Sequence, residues 1–385
     1  MRLGLHIFHF LFTGNQTVNP IFAYPLRMNK FRLLILFLFL SGALRLAAQQ
    51  PDAEGSLVKW MSLEEALAKN DTLPRPILLD FYTSWCGWCK HMMKTTYADP
   101  GLSQYINTYF YPAKFNAEGK DTLDYLGKKY GPTSAAPRAP HAFTVKMLKD
   151  QLMYPTTLFL NGYDKSKKEF GVSMIASGYL DRQKIEPLLV YNVENVFRSA
   201  SYDDFSAQFQ KAFYDSTLDK QLEKIKWLMP KEVFSTPEPK KKKKTLVFIH
   251  TDWCNACKVM QRATFSDSSV SAYLAGKFNL VDLDAQTKDT IQFKGQAFVN
   301  AQLPQAPFHQ LALALSRNNL VLPTVALLDE DLNLLDAVSY YIHPKFLDDI
   351  LHFYGDDVYR NKPWKDYMTE KQKAAQESTA PELKK

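Results

Sequence analysis

Two six-residue motifs, Trp85-Cys86-Gly87-Trp88-Cys89-Lys90 and Trp253-Cys254-Asn255-Ala256-Cys257-Lys258, stand 168 positions apart and constrain this chain more than any other feature. The same offset carries Asp121-Thr122 onto Asp289-Thr290, His141 onto His309, and Pro155-Thr156 onto Pro323-Thr324. The register holds without net gap from Trp85 to Thr156, which is the mark of one duplicated structural unit. With 385 residues, 46% of them hydrophobic, the chain has enough apolar side chain for two cores of ordinary size.

Each copy reads as strands alternating with helices. In the first, Ser62-Leu63-Glu64-Glu65 is a capping box that opens a helix, and residues 76–81 form a buried strand. Cys86 follows at a helix start. Residues 111–116 and 156–160 are further strands, the latter ending at an Asn161-Gly162 turn, and residues 181–190 close the copy as a helix. The second copy predicts strands at 245–249, 279–283 and 324–328 and a helix at 344–354. Such alternation means an α/β fold. Between the copies, Phe205, Phe209 and Phe213 lie at helical spacing, and residues 230–244, with Pro237, Pro239 and a lysine run, read as an exposed linker. The expected layout is an upstream extension at 1–27, a secretory signal at 28–48, a first domain at 52–195, a helical connector and lysine-rich linker at 196–244, a second domain at 245–355 and a disordered tail at 356–385.

The signal rests on Lys30 and Arg32 before the apolar run 33–40, with Leu46-Ala47-Ala48 as a small-residue exit. The uncharged run from Leu33 to Ala43 is too short to span a membrane, and Arg45 closes it. Export, to the periplasm if the source is a double-membrane bacterium, is the expectation. Net charge is +7, but the first 48 residues hold five basic groups and no acidic ones, so the remainder is near neutral. A nucleic-acid partner is therefore not expected, because its footprint needs basic residues gathered on one folded face. The lysines at 240–244 offer a peripheral contact with an anionic membrane surface.

Four cysteines in an exported chain would ordinarily suggest structural cross-links, yet here they fall as two close pairs. A bond within such a pair closes too short a loop to stabilise the fold much. A shared zinc site fits no better, since 164 residues separate the pairs where a zinc ribbon has about 15 to 20. Redox chemistry remains. At a helix start, the unpaired N–H groups and positive helix end favour thiolate over thiol, which makes Cys86 and Cys254 nucleophiles. Cys89 and Cys257, one turn further in, are placed to resolve the mixed disulfide each nucleophile forms with a substrate.

The residues Ile77-Leu78-Leu79-Asp80-Phe81-Tyr82-Thr83-Ser84-Trp85-Cys86-Gly87-Trp88-Cys89-Lys90, with Lys114-Phe115-Asn116 and Tyr154-Pro155-Thr156, resemble the thioredoxin superfamily. The stretch Asp252 to Lys258, followed by Ala263-Thr264-Phe265-Ser266-Asp267, is similar to the thioredoxin-like C-terminal domain of the membrane thiol:disulfide interchange reductases. The resemblance implies two tandem thioredoxin-like domains, each a mixed sheet flanked by helices. It implies that Pro155 and Pro323 are cis and, with Trp85 and Trp253, face a bound substrate strand beside each cysteine pair. It also implies that Asp80 and Lys114 assist proton transfer at Cys89. The second copy departs here, with Phe248 at the Asp80 position and Asp282 at the Lys114 position, so unequal modules are expected.

Both copies run 66 positions from resolving cysteine to proline, longer than the compact thioredoxin pattern, through segments rich in Ala and Pro around His141 and His309. These segments suit a cap or partner-binding loop, and the histidines read as loop anchors in preference to ligands. No cofactor is expected. A reductase would draw its electrons from a membrane-embedded partner and pass them to disulfide-containing exported proteins; oxidase, isomerase and non-catalytic client-binding readings stay open at this point.

Overall fold

The computed structural model describes residues 55–379 except 150, 165, 223–224, 236–242 and 303–306, so the signal sequence and Lys240 to Lys242 lie outside the described residues. The first module contains α1 (Leu63–Thr72), β1 (Ile77–Tyr82), α2 (Gly87–Lys94), α3 (Pro100–Tyr109), β2 (Tyr111–Asn116), β3 (Leu123–Tyr125), β4 (Lys128–Tyr130), α4 (Ala142–Leu148), β5 (Thr156–Asp164), β6 (Glu169–Ser177) and α5 (Arg182–Val193). A connector of α6 (Tyr202–Tyr214), α7 (Asp219–Leu222) and α8 (Pro230–Phe234) follows. The second module is built from β7 (Lys244–His250), α9 (Asn255–Val259), α10 (Ser268–Lys277), β8 (Phe278–Asp284), β9 (Ile291–Phe293), β10 (Gln296–Phe298), α11 (Gln310–Leu315), β11 (Thr324–Leu328), β12 (Leu334–Ser339) and α12 (Pro344–Gly355), and α13 (Trp364–Thr379) ends the described chain.

The two sheets have one topology. In the first the strand order is β2-β1-β5-β6, and in the second β8-β7-β11-β12. β1 pairs with β2, and β7 with β8, in parallel; every other pairing in these two sheets is antiparallel. The parallel pairs are buried on both faces, so β1 and β7 read as continuous apolar runs, broken in β1 by Asp80. Alternate β1 residues serve separate cores: Ile77, Leu79 and Phe81 on one face, Leu78 on the other with Met92, Met93 and Leu188.

In the second module the division repeats, but one of its cores is shared. Leu246, Phe248, Val325 and Leu351 pack in a single cluster with Phe205 and Phe209 of the connector and with Val190 and Tyr191 of α5. The closing helix of the first module is thus part of the core of the second. Leu228 bridges to Val281 at the β8 edge, as Met61 bridges to Ala113 at the β2 edge.

Several expectations change. The expected linker at 230–244 holds α8, whose apolar face packs on β8 and β9, with Phe234 edge-on to Phe293. Lys244 is not an exposed member of a basic run. It opens β7, is buried, and pairs with Glu330 and Asp357 at 2.8 and 3.1 Å, which removes it from any membrane contact. The tail expected to be disordered contains α13, held by Trp364 against Phe353 at 5.1 Å and by the Lys371–Asp349 ion pair. Asn161-Gly162 is not a hairpin turn. The strand continues to Asp164 through a register irregularity, where Gly162 supplies a φ of 59° that suits glycine.

The insertion in each module forms a short hairpin, β3–β4 or β9–β10, followed by a short helix. His141 caps α4 by accepting from the Phe143 N–H at 3.2 Å while its Nε2 meets the Asp121 carbonyl at 3.0 Å. His309 repeats both contacts on α11, with the Leu311 N–H at 3.2 Å and the Asp289 carbonyl at 3.1 Å. Both rings are buried anchors that fasten the hairpin to the helix. Replacing either by alanine removes an N-cap and the ring's bond to the hairpin carbonyl, so urea unfolding should show a loss of about 1 to 3 kcal/mol for each variant. Because the contacts match, the two losses should agree within about 1 kcal/mol.

Candidate active sites

At the carboxyl end of β1 the chain turns through Thr83 to Trp85 and enters α2 with Cys86 as N-cap. Its Sγ accepts the Cys89 N–H at 3.1 Å, doing with sulfur what a Ser or Asp oxygen does at other helix starts. Cys254 does the same for α9, with the Cys257 N–H at 3.1 Å. Each pair is joined as a disulfide. The attacking sulfur therefore sits where helix N–H groups can stabilise a thiolate.

The flanking tryptophans are anchored alike. Trp85 donates its indole N–H to Glu118 at 2.9 Å, and Trp253 donates to Gln286 at 3.0 Å. Glu118 and Gln286 are related by the same 168-residue offset, a signal that could have found them. Both indoles stay about half exposed, and Trp85 lies edge-on to Tyr154 at 6.5 Å, next to Pro155. The Tyr154–Pro155 and Leu322–Pro323 bonds are cis, as the resemblance implied.

Behind the first site, Asp80 is fully buried on β1, and its register partner on β2 is Lys114. Thr157 on β5 donates to Asp80 at 3.5 Å and contacts the Tyr97 hydroxyl at 3.4 Å. Lys114 Nζ also lies 4.6 Å from the Tyr82 ring centroid. In the second module these positions hold a different set. Phe248, in the Asp80 place, packs against Trp227 and Phe265 at 5.7 and 5.0 Å. His250, in the Tyr82 place, hydrogen-bonds Asp282, in the Lys114 place. Burial alone would lower the His250 pKa, but the Asp282 bond and charge, with Asp284 and Asp252 beyond, outweigh it and leave it raised.

The rims differ more than the cysteines do. Trp88 is 61% exposed beside Cys86, with Gly87 open as well, whereas Ala256 is 0% exposed beside Cys254 and Asn255 is half-buried. The cover on the second site is Glu194, directly after α5, which no sequence signal marked. Its carboxylate accepts from the Asn255 N–H at 2.9 Å and the Ala256 N–H at 2.6 Å, and lies 3.5 Å from Cys254 Sγ. Burial pushes the Glu194 pKa up to about 7, against the pull of those two N–H groups and of Lys258.

A thioredoxin-type sheet carrying an N-capping Cys-x-x-Cys pair in each half defines the thiol-disulfide oxidoreductase class. Residues 239–329 match a family model described as "Thioredoxin-like", and residues 44–187 match Thioredox_DsbH, described as "Protein of unknown function, DUF255". The chain belongs to the thioredoxin superfamily, with a thioredoxin-like domain in each half. Over 88 residues it is 35% identical to the thiol:disulfide interchange protein DsbD of Ralstonia nicotianae, a match spanning 21% of this chain and 14% of that protein. Similar solved structures include a Thermus thermophilus thioredoxin, at 18% identity and TM-score 0.26 over 34% of this chain and 84% of that one. Another is the Neisseria meningitidis DsbD C-terminal domain in the oxidised form, at 18% identity and TM-score 0.22 over 34% of this chain and 98% of that one.

The His250–Asp282 pair makes a pH prediction. A histidine pKa raised in the fold means its stabilisation is complete below the unfolded value of about 6.5 and is lost as pH rises through the folded value. Urea midpoints of the wild type and Asp282→Asn should therefore differ more at pH 5.5 than at pH 9. A gap that widens toward pH 9 would contradict this assignment.

Proposed function

We propose that this protein is an exported protein-disulfide reductase whose working dithiol is Cys86–Cys89, fed by a membrane-embedded dithiol donor and acting on disulfide-containing exported proteins. The observation that carries the reading is the open rim of the first site: exposed Gly87 and Trp88 beside an N-capping Cys86, with buried Asp80 on the adjoining strand. The Cys86 thiolate attacks a substrate disulfide, breaking its S–S bond and forming a mixed disulfide. Cys89 loses its proton toward Asp80 and Lys114 and attacks Cys86 Sγ. The substrate leaves as a dithiol carrying two electrons, and the Cys86–Cys89 bond that forms is reduced in turn by the donor dithiol, itself oxidised to a disulfide. Trp85 and Pro155, with Trp253 and Pro323 in the second module, offer the surfaces against which a substrate strand would lie.

Periplasmic location is part of the same reading, supported by the signal pattern at 28–48. Among the described residues, no helix is long and apolar enough to cross a membrane. The layout proposed is two thioredoxin-like domains, at 52–195 and 245–355, with α8 and Leu228 belonging structurally to the second.

Insulin reduction by the pre-reduced protein tests this assignment. Cys86→Ala should lower the initial rate at least about tenfold while Cys254→Ala keeps most of it, because only the first pair has an exposed rim at Gly87 and Trp88. Equal residual rates would remove the distinction between the modules. The Cys86–Cys89 potential should fall near the thioredoxin value of about −270 mV; a value near that of DsbA, about −120 mV, would make the protein an oxidase. A Cys89→Ser variant expressed in the native compartment should accumulate mixed disulfides with its clients.

A further inference from the structure

The first module's closing helix reaches the second dithiol. Three contacts converge on the Glu194 carboxylate: the Asn255 N–H, the Ala256 N–H and Cys254 Sγ. In the first module Gly87 and Trp88 occupy the positions of Asn255 and Ala256, and both are exposed. Past the fourth strands the offset between the modules falls to 162, so the residue in the place of Glu194, capping the end of α12, is Asp356; it pairs with Lys277 at 3.1 Å and His352 at 2.9 Å, whereas Glu194 is turned to a dithiol.

We propose that Glu194 is a built-in restraint on the second dithiol, holding Cys254 as a thiol when the Cys254–Cys257 bond is reduced. The inference rests on the reading of that pair as redox-active, and it deepens it by assigning control of the second site to the first module.

The physical case has two parts. The backbone N–H groups that would otherwise lower the energy of a Cys254 thiolate are already bonded to a carboxylate, which satisfies them better than sulfur does. A negative charge 3.5 Å from Sγ then opposes a second one, and a site shielded from water magnifies that opposition. Two like-charged acids this close lose their protons in two separated steps that belong to the pair.

The other groups acting on Glu194 are few. Lys258, on the α9 turn beyond, favours its charge, and Tyr105 of α3, hydrogen-bonded to Asn255, faces it from the first module. Burial raises the Tyr105 pKa further above its ordinary value, so that hydroxyl stays neutral and supplies no charge. Reduction with Glu194 ionised breaks the Cys254–Cys257 bond, takes two electrons from a partner dithiol that becomes a disulfide, and leaves a proton on each sulfur. With the restraint removed, Cys254 keeps its sulfur as a thiolate and one proton fewer is taken up. The second dithiol thus becomes a faster nucleophile only when the first module's carboxylate withdraws or is neutralised.

The experiment measures iodoacetamide alkylation of the reduced full chain from pH 5 to 10, with peptide mass spectrometry resolving Cys254 from Cys86. In Glu194→Gln, whose amide oxygen can still accept the two N–H groups, the Cys254 midpoint should fall by about one to two pH units. The Cys86 midpoint should stay where it is, and it reports in the same molecule that the first module is intact. Glu194→Ala, which frees both N–H groups, should lower the Cys254 midpoint at least as far. A Cys254 midpoint that stays put or rises in Glu194→Gln overturns the proposal. The alkylation midpoint does not depend on turnover. If the shift is present and insulin is not reduced, the reductase reading fails and the restraint stands; if insulin is reduced and the shift is missing, the reverse holds.

Discussion

The structure depends on one junction used twice: a buried parallel strand that ends, turns and enters a helix with a cysteine sulfur as the N-cap. Packing fixes the strand, since β1 and β7 each lie between two neighbours with both faces covered. A buried strand admits little freedom at its end, so the sulfur is delivered to the helix N–H groups in a set position. Reactivity then follows from what else reaches those groups. At Cys86 the rim is open; at Cys254 a carboxylate from another part of the chain has taken them.

The two modules show how one scaffold separates into two chemistries by a few substitutions. Asp80 interrupts an otherwise apolar strand, and its burial on a face shared with α2 and α5 is tolerable only beside polar neighbours such as Thr157. Phe248 at the equivalent place demands apolar neighbours, and the connector supplies them through Trp227. The exchange of Asp for Phe and the docking of the connector are therefore one change. The acid passes instead to the neighbouring strand: Asp282, at the Lys114 place on β8, bonds His250, two residues past Phe248 on β7, where the pair shapes stability and leaves Cys257 without a buried acid on its central strand.

Much of this was legible in the sequence. The Cys-x-x-Cys spacing places a sulfur and a backbone N–H one turn apart, and that local geometry needs no tertiary information. The apolar runs of β1 and β11 and the capping Ser62 are local in the same way. The anchoring roles of His141 and His309 could be argued because both stood in the repeat with no second ligand. The fourth strands β6 and β12 went unread, because their residues are mostly half-buried and lack the strong alternation of a strand with one dry face. Gly162 suggested a turn because glycine serves bulges and turns equally. Lys244 looked solvated because its partners, Glu330 and Asp357, are 86 and 113 residues away. Glu194 is the same case, 60 residues from the sulfur it touches.

The cluster that joins Val190 and Tyr191 of α5 to Phe205, Phe209 and Leu246 has a bearing on how the molecule is made. Synthesis delivers α5 and α6 before the β7 sheet exists, so the second module condenses on a surface that its predecessor has already finished. Its maturation is ordered in time, and the cysteine pair that closes last is the one that acquires its carboxylate neighbour in the act of folding.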